Sequence, residues 1–162
     1  MIQVTIDSIR VSLTRTQRAI LLKEINDDRQ LPIFIHPNEA EAILAELQGY
    51  PAYPRPMTHD LLKNCIAELG GELQYVVVNE LRDDVFFALL HIRQGGMELD
   101  IDARPSDSVA LAVRARVPIF VHESVMEQAG IYPAQEQELD DAQLSVFKDF
   151  VESLDIDDLE TD

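Results

Sequence analysis

The chain reads as an α+β domain: a mostly antiparallel sheet with helices packed against it. Three observations predict this. Apolar stretches of strand length recur, many alternating with polar residues. Short polar or glycine-bearing turns join them, the connection antiparallel neighbours use. Two helices open on a proline just after a short apolar run. The predicted order is β-β-β-α-α, then β-β-β-α-β-α, which groups strands together instead of alternating them with helices.

Ile2, Val4 and Ile6 alternate with polar residues, as do Ile9, Val11 and Leu13, so one strand is expected to bend near Ser8. Ala19 to Ile25 and Leu31 to Ile35 are the next strands, joined by a hairpin-type turn at Asn26 to Gln30. Pro37 opens a helix with Ala40, Ile43, Leu44 and Leu47 on one face. Residues 49–56, GYPAYPRP, form a loop, and Thr58 to Leu69 a helix closed by Gly70 and Gly71. Leu73 to Leu81 carries a run of three valines that β-branching favours in a strand. Turns at Arg82-Asp83-Asp84 and Gln94-Gly95-Gly96 lead into strands at Val85 to Ile92 and Met97 to Asp102. Pro105 opens a third helix, Val117 to Val121 is a short strand, and Glu123 to Ala129 is a short helix ended by Gly130. Leu139 to Leu154 is amphipathic, with Leu144, Phe147, Val151 and Leu154 on one stripe, and the last eight residues are expected to fray.

The 162 residues are 46% hydrophobic and 27% charged, which supports a packed core and excludes a disordered chain. No apolar run approaches the ~20 residues of a membrane span, and the first residues lack signal-peptide architecture. Cys65 is the sole cysteine, so a reducing, cytoplasmic setting is expected, with Cys65 as a buried small hydrophobe of its helix. The net charge is −17: residues 1–122 hold 17 acidic and 12 basic side chains, residues 123–162 hold 13 and one. The division expected is a domain over 1–130 and an acidic helical extension over 131–162. Such a charge repels polyanions at long range, so chemistry on phosphodiesters must rest on a local site.

An internal repeat is visible. Residues 36–45 and 104–113 both read basic–Pro–small polar–acid and then an Ala-containing apolar helix, after a short strand. Chemistry concentrates in Arg55-Pro-Met-Thr-His-Asp60 and in Asp100-Ile-Asp-Ala-Arg-Pro-Ser-Asp107. Arg55 and Arg104 suit bidentate contact with phosphate. His59 is the natural proton carrier. Asp60, Asp102 and Asp107, with Glu39, offer oxygens to Mg²⁺ or Mn²⁺, and no organic cofactor motif is present. The structural alternative stays open: acids in a first turn favour the helix dipole, Thr58 or Ser106 can cap a helix, and Arg104 with Asp107 or Asp60 can be a clamp. Asp100 and Asp102 share one strand face, toward solvent or a cleft. His36 begins the corner related to Arg104 and can line the same groove. His91 reads as structural, His122 as exposed, and Tyr50 and Tyr53 as packing their loop down or stacking on bases.

LPIFIHPNEAEAI, YPRPMTHDLL and LDIDARPSDSVALAVRARVPIFV resemble the bifunctional nuclease domain family of bacteria and plants, over roughly residues 1–130. The resemblance implies a compact, usually self-associating α+β domain that cleaves DNA and RNA. Its matching positions are Glu39, Arg55, Thr58, His59, Asp60, Asp102, Arg104, Ser106 and Asp107. Departures are His36, where Gly is common, and Ser108, where Ala is usual.

Two functions are therefore expected. The first is metal-assisted hydrolysis of nucleic acid by His59, Asp60, Asp102 and Asp107, with Arg55 and Arg104 on phosphate. The second is a non-enzymatic binding module whose acidic tail docks a partner. Edge strands and the C-terminal stripe favour a homodimer.

Overall fold

A computed structural model describes residues 1–11, 18–49 and 54–133. The predicted helix at 139–154 and both tyrosines of the proline-rich loop lie outside these residues. Among the described residues the elements are β1 (Ile2–Val11), β2 (Arg18–Glu24), β3 (Gln30–Ile35), α1 (Pro37–Leu47), α2 (Thr58–Glu68), β4 (Gly71–Arg82), β5 (Val85–Gln94), β6 (Met97–Ala103), α3 (Pro105–Ala115), β7 (Ile119–Val121) and α4 (Glu123–Ala129). The α+β class and the order of elements follow the sequence expectation.

The strands form one seven-stranded sheet in the order β3-β2-β1-β7-β4-β5-β6. Every pairing is antiparallel except that of β4 with β7. The short β7 is inserted between the two halves, each a run of antiparallel strands (β1–β3 and β4–β6), and so fuses them. The expected bend in β1 is a register shift between Ile6 and Ser8, which keeps apolar residues inward on both sides of it. The β4–β5 turn places Asp83 and Asp84 at φ of 51° and 61°, a left-handed geometry Asp tolerates better than most residues.

One buried cluster forms the core. Ile20 and Leu22 of β2, Leu31 and Ile33 of β3, and Val76 and Val78 of β4 meet Ile43 of α1, Val109 to Ala112 of α3, and Val125 and Met126 of α4. Leu21 and Val77 are buried too, so the inner strands are covered beyond their core-facing positions. The packed face of α1 departs from expectation: Ala40, Ala42 and Ile43 are buried while Leu47 is exposed.

α2 departs further. None of its residues is fully buried, Leu61 and Leu62 are exposed, and Cys65 is exposed, not buried as expected. The helix meets α3 and β4 through Ile66, half-buried against the core. Its apolar count suggested a core element, but it lies outside a helix that already covers the sheet.

Candidate functional site

The repeated strand-to-helix corner is real. β3 runs into α1 and β6 into α3 through an extended residue, His36 or Arg104, followed by proline at the first helical position. Proline fits there because that position has no helical partner for an N–H. Each helix then carries an acid at its third position, Glu39 or Asp107, where the helix dipole favours negative charge. α2 repeats the pattern with Asp60. The residues preceding α2 and α3 are Met57 and Arg104, so neither Thr58 nor Ser106 is the cap.

Arg104 ties two of these corners together. Its NH1 donates to Glu39 Oε1 at 2.7 Å, its Nε to Asp107 Oδ2 at 2.7 Å and its NH2 to Asp107 Oδ1 at 3.1 Å. The other Glu39 oxygen accepts the His36 amide at 2.6 Å. His59, from the first turn of α2, reaches the same carboxylate: its Nε2 lies 3.1 Å from Asp107 Oδ1. A chain Glu39–Arg104–Asp107–His59 thus joins the starts of α1, α3 and α2. Its members differ in exposure: the Arg104 side chain is 63% exposed and His59 12%.

Burial works to raise the Asp107 pKa, but hydrogen bonds from Arg104 and His59 outweigh it and hold the carboxyl below its ordinary value. An ionised Asp107 only accepts, so His59 Nε2 carries a proton toward it and, in the neutral ring, Nδ1 keeps its lone pair.

Asp60 is committed elsewhere. Its Oδ2 accepts the Met57 amide at 2.9 Å and its Oδ1 accepts from Arg114 Nε at 2.8 Å. Desolvation opposes its ionised form, but these two donors prevail and lower its pKa. Arg114 is 3% exposed and also donates to the carbonyls of Ala110 and Ala42, so it clamps α1 and α2 onto α3. Sequence reasoning missed Arg114. The available signal was a basic residue four positions after Ala110, in the apolar stripe of α3.

Asp102 stands on the edge strand β6, exposed and without a side-chain partner among the described residues. Its neighbour Asp100 pairs with His91 Nδ1 at 2.7 Å, while Glu98 meets His91 Nε2 at 2.9 Å. His91 stacks on Tyr75 with ring centroids 4.4 Å apart, so it serves the sheet surface. Arg55 is exposed, and His122 precedes α4 with its Nδ1 2.9 Å from Ser124 Oγ. Among the described residues no three His, Cys, Asp or Glu side chains are disposed to hold a metal ion. The four carboxylates expected as ligands therefore do not fit a resident divalent ion here: Asp60 faces Arg114, Asp107 and Glu39 face Arg104, and Asp102 stands apart.

A cleft of about 290 Å³ opens beside Arg104. It runs between Ile33 to His36, at the end of β3, and Asp84 to Phe86, at the start of β5, with Glu39, Arg104, Pro105 and Ser106 at its base. Residues from both halves of the sheet thus line the same gap.

The model of the bifunctional nuclease domain matches residues 20–134, which take in most of β2, the strands β3 to β7, the three helix starts and the cleft. The chain belongs to the bifunctional nuclease domain family. A Mycobacterium tuberculosis protein named as uncharacterized is 40% identical over 162 aligned residues, covering 96% of both chains. Bifunctional nuclease 1 of Oryza sativa subsp. japonica is 28% identical over 78% of this chain and 39% of its own length. Bifunctional nuclease 2 of Arabidopsis thaliana is 29% identical over 70% and 35%. The chain thus spans well under half of either plant protein. No helix among the described residues is long and apolar enough to cross a membrane.

Proposed function

We propose that the chain is a phosphodiesterase acting on nucleic acid, with its site where the three helix starts meet. The observation that carries this reading is the Arg104–Asp107–His59 array, drawn from two distant motifs and opening beside a cleft. Arg104, largely exposed, offers its remaining N–H groups to a phosphate oxygen and offsets charge that grows during attack. Asp107 orients His59 and sets its tautomer, so that Nδ1 can take a proton from water as its oxygen bonds to phosphorus. The P–O bond to the leaving nucleoside breaks, and the imidazolium gives the proton up to that leaving oxygen or to solvent. Glu39 and Asp107 hold the guanidinium in place. No step is routed through a metal ion, because the carboxylates are engaged with guanidinium groups.

The test is cleavage of RNA and DNA oligonucleotides by wild type, His59→Ala and Arg104→Ala, with thermal unfolding of each. His59→Ala is expected to lose about 10²- to 10⁴-fold in rate. Arg104→Ala is expected to lose rate steeply while costing about 1 kcal/mol in stability, since the guanidinium itself is largely exposed even though Glu39 and Asp107 are half-buried. Cleavage undiminished in both variants overturns the reading.

A second reading has its own observation: every charge in the array is paired with another, as in a structural clamp. A binding module of this kind predicts the reverse pattern, with Arg104→Ala lowering the melting temperature strongly and no oligonucleotide cleaved.

A further inference from the structure

We propose that the cleft beside Arg104 receives one unpaired nucleobase while Arg104 contacts the neighbouring phosphate, so that the substrate is single-stranded nucleic acid. This rests on the nuclease reading above. The cleft, at about 290 Å³, lies at the small end of the ~300–1,000 Å³ typical of ligand sites, large enough for one flat heterocycle. Its walls suit such a ring. Phe34 stands on the edge strand β3 at 69% exposed, with Phe86 also lining the cleft. Neither takes part in the aromatic or cation–π pairs found among the described residues, Tyr75 with His91 and with Phe120, and Arg82 over Phe87. An exposed aromatic face is the platform on which single-stranded bases stack without regard to sequence.

The base of the cleft adds polar groups. Ser106 lines the cleft, and its hydroxyl stays open to solvent there, since the buried side-chain polar atom without a partner among the described residues is Asn79 Oδ1. Its neighbour in the corner, Ser108, instead donates to the Arg104 carbonyl at 3.0 Å. A hydroxyl open at the cleft wall can both donate and accept, and the edge of a base carries both donors and acceptors. Asp84, at the opposite rim, contributes an acceptor-only carboxylate suited to an exocyclic amine. Arg104 belongs to both the cleft and the ion-paired array, so a base in the cleft and its phosphate at Arg104 lie one step apart along a strand. In a duplex the base is inside the stack and reaches such a cleft only by being extruded.

The experiment uses the full chain and an oligonucleotide of about eight nucleotides, the span of a single-strand groove. It is presented alone, as a perfect duplex, and with an abasic nucleotide at each position in turn. Wild type is expected to cleave the single strand faster than the duplex, and one abasic position should cost about tenfold, the size of one stacking contact. Phe34→Ala should lose the same factor on the intact strand, lose nothing more at the abasic position, and keep its melting temperature. Equal rates for wild type and Phe34→Ala overturn the subsite while leaving the nuclease reading in place. So does a Phe34→Ala variant that changes only the mass seen by light scattering, which assigns Phe34 to a contact between copies. If His59→Ala and Arg104→Ala both cleave as wild type does, the nuclease reading falls. Fluorescence anisotropy of the same labelled strand then decides the cleft alone, and an unchanged Kd in Phe34→Ala overturns it.

Discussion

Arg114 does for the helices what the core does for the sheet. It is almost completely buried, and it serves one carboxylate and two carbonyls on three helices. Removing the buried guanidinium leaves Asp60 Oδ1 without its donor and opens a void where three helices meet, and Arg114→Ala is expected to cost about 3 kcal/mol or more. Urea unfolding measures it; a loss under about 1 kcal/mol would mean the surrounding groups are satisfied by water. The carboxylates give a second expectation. Asp60 and Asp107 are both held below their ordinary pKa. Depressed folded-state values contribute stability that is fully present above the unfolded value of ~3.9 and is lost as pH falls through the lower folded value. Wild type should therefore lose stability below about pH 4, and Asp60→Asn and Asp107→Asn should each flatten that decline in acid unfolding curves. Both acids were legible in the sequence as first-turn residues. Their partners were not: Arg114 lies 54 positions from Asp60, and His59 lies 48 from Asp107. No local spacing encodes such distances.

At the scale of elements, local rules carried furthest where a corner is self-contained. The proline, the acid and the apolar run of α1 and α3 define both helix starts without help from the rest of the chain, so the repeat and its two helices could be read directly. The bend of β1 showed in the shift of its apolar alternation. α2 resisted the same reading because its apolar residues outnumber those it buries, and only packing decides which face of a helix is covered. That is also why Cys65 came out exposed. The short α4 depends on its own end. A Cβ added to Gly130 would stand 2.3 Å from the Met126 carbonyl oxygen, which already accepts the Gly130 amide. Gly130→Ala must shift the last turn, and Val125 and Met126 above it are wholly buried. The expected cost is about 1–3 kcal/mol, read as a lower melting temperature, with the far sheet edge unchanged in hydrogen exchange.

The whole molecule sets its charge against its proposed substrate. With −17 overall, it faces a polyanion with repulsion at long range and the exposed Arg104 of the proposed site at short range. The two act over different distances. The Debye length is ~30 Å at 0.01 M salt and ~3 Å at 1 M, so salt removes the diffuse repulsion while a direct contact at 3 Å is far less screened. The acids of the last eight residues, Asp155, Asp157, Asp158, Glu160 and Asp162, contribute to the diffuse part. Replacing all five with Asn or Gln removes five negative charges without touching the paired carboxylates of the site. If those residues act only through their field, kcat/KM on a short oligonucleotide rises several-fold near 0.01 M salt, and the gain vanishes as the ionic strength approaches 1 M. KM carries the change and kcat stays constant, because the field governs approach and not the reacting atoms. A fall in kcat/KM at low salt would instead assign the acidic end a contact of its own, as a docking module requires. Salt-resolved kinetics on this one variant thus separates an electrostatic burden on the proposed nuclease activity from a second function carried by the acidic end.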